Sequence, residues 1–152
     1  MQLLRKVWSF GSTSQEMFHL WRVYCRSILE QSCVLWDSGL TTENSTDLER
    51  TQTTFCKLVL EEDYITYKKA LDFLQIQTLE DRRKELTLKF AEVGIVSGAL
   101  SDLFPRKKKA HCMEIRKGEY FKETFANTKR LQNSPVLAMQ RMLNQKHHIM
   151  NT

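Results

Sequence analysis

Proline and glycine are scarce, 2 and 5 of 152 residues, so little in the chain interrupts a helix. No apolar run approaches the ~20 residues of a membrane span. Met1 to Phe10 carries charge and aromatics where a secretory signal needs an uninterrupted apolar segment. These absences predict a soluble intracellular protein with no membrane partner, nuclear and cytoplasmic placement staying open. None of the 4 cysteines, Cys25, Cys33, Cys56 and Cys112, stands in a C-x-x-C pair, which predicts free, mostly buried thiols. Cys25 and Cys33 on one helix would lie about 12 Å apart along its axis, too far for a disulfide. His111-Cys112 and His147-His148 lack a second pair at finger or knuckle spacing, so a structural metal is not expected. Internal repeats and low-complexity segments are absent as well.

Enzymatic signatures are missing too. There is no Gly-rich phosphate loop, no G-x-S-x-G elbow and no H-E-x-x-H. The acidic pairs Glu61-Glu62 and Glu80-Asp81 sit where helix ends account for them. No catalytic residue, cofactor or metal ligand is expected.

What is present is an ordinary globular composition, 41% hydrophobic and 27% charged, in a chain long enough to bury about 68–70% of its unfolded surface. Its centre is Met17 to Trp36, where Phe18, Trp21, Cys25, Ile28, Leu29, Ser32 and Trp36 recur mostly every three or four residues. That is the period of one helix face, and it predicts a continuous amphipathic helix with Trp21 and Trp36 largely buried. Ser14 is the expected N-cap. A short helix at Met1 to Phe10 precedes it, closed by Gly11-Ser12-Thr13-Ser14.

Beyond Trp36, turn residues lead to a helix from about Glu43, capped by Thr41 or Thr42, with Leu48, Phe55, Leu58 and Val59 on its apolar face. Gln52 occupies an apolar position of that face, which implies a polar partner. A short helix at Thr66 to Leu74 should turn Tyr67, Ala70, Leu71 and Leu74 inward. Thr78-Leu79-Glu80-Asp81 reads as a capping box for a helix from Leu79 to about Val96 with Leu79, Leu86, Phe90 and Val93 as its stripe. Ala99 to Phe104 adds a further turn before Pro105. Glu119 to Phe125 is ambiguous between strand and helix and is expected to be extended and peripheral. Ser134-Pro135 can start a last helix, with Val136, Met139, Met142 and Leu143 on one face, and His147 to Thr152 should fray. The predicted fold is all-α: a bundle of about four to six helices over residues 1–105, then a basic tail over 106–152 with a short terminal helix.

Charge divides the chain. From Arg106 onward there are 11 Lys or Arg against 3 Asp or Glu, a net +8, whereas residues 1–105 hold 12 against 15, a net −3. Pro105-Arg106-Lys107-Lys108-Lys109 is the densest cluster. It reads as a phosphate contact, a short Pro-and-Lys nuclear import signal, or a solvated linker.

Three further stretches form an ordered series: Arg22 to Trp36 (RVYCRSILEQSCVLW), Leu48-Glu49-Arg50-Thr51-Gln52, and Leu74 to Arg83 (LQIQTLEDRR). The series resembles the region that follows the polymerase palm in jockey-like non-LTR retrotransposon reverse transcriptases, with R-S-x-L-E then Trp, L-E-x-x-Q, and L-x-x-x-T-L-x-x-R-R. The likeness continues through Leu100 to Pro105, Asn127-Thr128, Arg130 and Met139 to Asn144. It implies a helical, thumb-like fragment that lies beside template and primer in the full enzyme, here truncated or separately encoded. Polymerase activity is not implied, because the Y-x-D-D aspartates that hold two metal ions in that family are not in this sequence.

Two functional readings follow. In one, the chain is a non-catalytic module that binds an RNA or DNA duplex through phosphates, with Arg106, Lys107, Lys108, Lys109, Arg116, Lys117, Lys129 and Arg130 as candidate contacts. In the other, it is a helix-bundle protein interaction module, or a remnant with no selected activity, and its basic tail only solubilises it. The sequence leaves the oligomeric state open.

Overall fold

The computed structural model describes residues 2–105, 121–122 and 124–150. The chain is all-α, and no β-strand occurs among the described residues. It falls into two compact units, one made of Met1–Cys33 and Leu40–Arg83, the other of Val34–Gly39 and Lys84–Thr152.

In the first unit, α1 (Gln2–Ser9) is followed by α2 (Ser14–Leu20). The cap of α2 is Thr13 rather than Ser14. Thr13 holds extended backbone and forms a complete capping box with Glu16, leaving Ser14 as the first helical residue. Those bonds from Thr13 also hold the Glu16 carboxyl below its usual range. The helix then widens into a π-helical stretch, Trp21–Arg26, before resuming as α3 (Ser27–Glu30). Each π turn takes an additional residue, so the face drifts away from the 3.6-residue period. Ile28, placed on the stripe by that period, is 70% exposed, while Trp21 is 1% exposed. The expected continuous helix also ends early: Ser32 takes a left-handed backbone (φ 53), and α4 (Cys33–Trp36) starts afresh. Trp36 is only half-buried, not the deep anchor expected.

Helix α5 (Thr42–Leu60) is capped by Thr41, and α6 (Tyr67–Leu74) by Thr66. Gln75 stops α6 in the left-handed conformation. Leu4, Met17, Trp21, Phe55, Cys56, Val59, Leu60, Ala70 and Leu71 form the core of this unit. At its centre the Trp21 and Phe55 rings stack, centroids 4.7 Å apart and planes at 11°. Burial pushes the Cys56 thiol up to about 11.

Helix α7 (Leu79–Val96) begins as expected. Asp81 N–H donates to Thr78 Oγ1 at 3.0 Å, and the Thr78 hydroxyl donates to Asp81 Oδ2 at 2.7 Å. Its inward line is different, however. Phe90 and Val93 are 48% and 67% exposed, whereas Leu79, Arg83, Thr87 and Ala91 are at most 3% exposed. The buried line steps by four and carries two polar residues, so counting apolar side chains picks the wrong face. In the second unit, Gly94 packs so tightly that an added Cβ would meet Leu100 Cδ1 at 2.2 Å. The short α8 (Lys129–Gln132) leads into α9 (Pro135–Met150), with Pro135 at its first position and helix continuing through 147–150, where fraying was expected. Ala91, Phe104, Phe121, Met139 and Leu143 form this core. Phe121 is 2% exposed, so the stretch expected to be peripheral supplies a core ring.

Candidate nucleic-acid interface

Polar residues of the three sequence motifs meet inside the first unit. Glu30 pairs with Arg26 at 2.5 Å and with Arg82 at 3.4 Å, joining α3 to α7. Glu49 on α5 accepts from the Tyr67 hydroxyl at 2.5 Å and from Glu80 N–H at the start of α7 at 2.8 Å. Burial, and then the bond to Glu49, raise the Tyr67 phenol well above its usual range. Gln52, 2% exposed, donates to Gln77 O at 2.8 Å, which supplies the polar partner its position implied. Arg83, also 2% exposed, donates to Ser45 Oγ at 3.3 Å. Each of these groups satisfies another inside the fold, as buried polar groups must. They hold helices of the first unit together.

The candidate contacts lie elsewhere. Arg106, Lys107, Lys108, Lys109, Arg116 and Lys117 fall outside the described residues, as do His111 and Cys112. What the structure gives is the ground from which that stretch leaves and to which it returns. On the leaving side, Leu103 O accepts from Gln140 Nε2 at 2.9 Å, and the Phe104 ring is buried. On the returning side, Phe121 N–H donates to Asn144 Oδ1 at 2.8 Å, while Asn144 Nδ2 donates to Phe121 O at 3.2 Å. The two sides meet: Lys122 N–H donates to Pro105 O at 3.0 Å, and the Phe104 and Phe121 rings stand edge to face, 5.9 Å apart at 68°. Residues 103–105 and 121–122, on either side of the six candidate cations in sequence, are therefore in contact with each other and held to the second core. Sequence reasoning overlooked Asn144 and Gln140, although amides on the buried face of α9 were a signal of polar partners.

Lys129 and Arg130 are exposed on α8. Thr128 caps that helix by accepting from Leu131 N–H at 3.2 Å. Gln132 Nε2 donates to Ala126 O at 3.2 Å, and Arg141 Nη2 donates to Gln132 O at 2.7 Å. Neither Lys129 nor Arg130, nor exposed Lys122, has an ion pair among the described residues. Several other cations do: Arg50 with Asp47, Lys89 with Glu85, and Lys146 with Glu92. No group of three or more His, Cys, Asp or Glu able to hold a metal occurs among the described residues. Nor is any described helix long and apolar enough to cross a membrane.

Comparison with protein-family models, with curated proteins and with solved structures gives no match.

Proposed function

We propose that this chain is a non-catalytic helical module that binds nucleic-acid duplexes through their phosphates, with little sequence preference. The observation that carries this reading is the segregation of charge: 11 cations against 3 acids from Arg106 onward, with Lys122, Lys129 and Arg130 exposed. Exposed cations can replace the counterions condensed on a duplex, and their release drives binding. The resemblance to the thumb-like region of retrotransposon reverse transcriptases agrees in kind, since such a region lies beside template and primer. Direct polymerisation is no part of the proposal, because the Y-x-D-D aspartates are not in the sequence.

The test is affinity for an RNA duplex and a DNA duplex as salt is raised from about 50 to about 200 mM. Phosphate-driven binding weakens steeply over that range. Absence of binding at the lowest salt, or binding indifferent to salt, would overturn the proposal. Primer extension on an RNA template with magnesium should stay at the level of a buffer control.

A further inference from the structure

Four residues past buried Phe121, Phe125 is 86% exposed. Single exposed apolar residues are common and mean little alone. This one has distinctive neighbours. It stands in sequence between Lys122 and the Lys129-Arg130 pair, all three exposed and without an ion pair among the described residues. Nor is its backbone a loose end. Asn144 holds the chain at Phe121 just before it. Just after it, the Ala126 carbonyl is held by Gln132 and Thr128 caps α8. A ring is thus presented to solvent from a short stretch fixed at both sides, flanked by cations. Glu123 is the one acid in the stretch and lies outside the described residues.

An exposed aromatic ring with exposed cations on either side of it in sequence suits one polymer in particular. In single-stranded nucleic acid the base faces are free, so a ring can stack on a base while neighbouring cations neutralise the backbone. In a duplex those faces are covered by adjacent base pairs, and only phosphates and groove edges are offered. We propose that Lys122, Phe125, Lys129 and Arg130 form a single-strand contact, in which Phe125 stacks on a base and Lys122, Lys129 and Arg130 face its phosphates. This rests on the proposed nucleic-acid binding and extends it: the chain would engage the point where a duplex gives way to a single strand.

The experiment measures affinity of the whole chain for a 20-residue oligo-dT and for a duplex of about the same length by fluorescence anisotropy at several salt concentrations, in the range where phosphate binding is read. Phe125→Ala should weaken oligo-dT binding about 5- to 150-fold, the equivalent of one base stacked on an aromatic ring. It should leave duplex affinity and the melting curve unchanged. Phe125→Tyr, which keeps the stacking face, should bind oligo-dT like the wild type. Replacing Lys122, Lys129 and Arg130 by Gln should instead lower the oligo-dT salt slope by about 0.7 for each phosphate no longer neutralised. Unchanged oligo-dT affinity in Phe125→Ala, or an equal loss on duplex, overturns the single-strand contact. A wild-type chain that binds duplex and not oligo-dT overturns this inference alone, and one that binds neither overturns the proposed function with it.

Discussion

The two units of this chain differ in how openly the sequence shows their core residues. In the first, the Trp21–Phe55 stack and its aliphatic surround join helices whose apolar periods are plain in the sequence. In the second, the core gathers Ala91, Phe104, Phe121 and Met139, and an asparagine on the last helix clasps the backbone at Phe121. The lesson is that a residue from a stretch with no apolar period can still enter a core, here Phe121 held by one amide of the last helix.

The largest effects should come from the rings at the two centres. Trp21→Ala in the first unit and Phe121→Ala in the second should each cost about 3–5 kcal/mol, transfer and cavity terms combined, measured by urea denaturation. A Phe121→Ala chain as stable as wild type would return that stretch to the periphery. Next comes the clasp. Asn144→Ala removes its two bonds to the Phe121 backbone and should cost about 1–3 kcal/mol. Gly94→Ala drives a Cβ against Leu100 and should cost about 1–3 kcal/mol through overpacking, read as a lower melting temperature.

A pH series sharpens the comparison on the side of the first core. Burial raises Cys56 from an ordinary 9.0 to about 11. Below 9.0 the folded and unfolded chains both keep the proton; between 9.0 and about 11 the unfolded chain releases it first. Stability should therefore fall as pH rises through that window, and Cys56→Ala should show a shallower fall. Equal slopes would mean that this thiol does not titrate with unfolding. The smallest effects belong to the outer face of α7: Phe90→Ser and Val93→Ser should stay within about 0.5 kcal/mol of wild type, whereas the stripe expected from sequence requires much more.

How legible the molecule was depends on the kind of contact. The positions of α5, α6 and α7, a cap at Thr41 or Thr42, the Thr78–Asp81 pair and the polar partner of Gln52 were readable because each is set by spacing or by a local hydrogen-bond need. The π-helical stretch at Trp21–Arg26 was not, since no residue there breaks the apolar period. Neither was the inward line of α7, where Arg83 and Thr87 take buried positions that a polarity count assigns to solvent. Among the candidate phosphate-binding residues, the cationic cluster was visible as composition. The contacts of the described residues on either side were hidden, because Pro105 and Lys122, or Phe121 and Asn144, meet only once the chain has folded.

The central claim is that the basic stretch from Arg106 binds phosphates, and its most direct measurement is the slope of log affinity against log salt on a DNA duplex. Wild type should be compared with a variant in which Arg106, Lys107, Lys108 and Lys109 are all changed to Gln. If all four touch the backbone, the slope should shrink by about 0.9 for each phosphate no longer neutralised, with the melting curve unchanged. An identical slope in an intact variant would contradict the claim and leave the cluster as solvated surface.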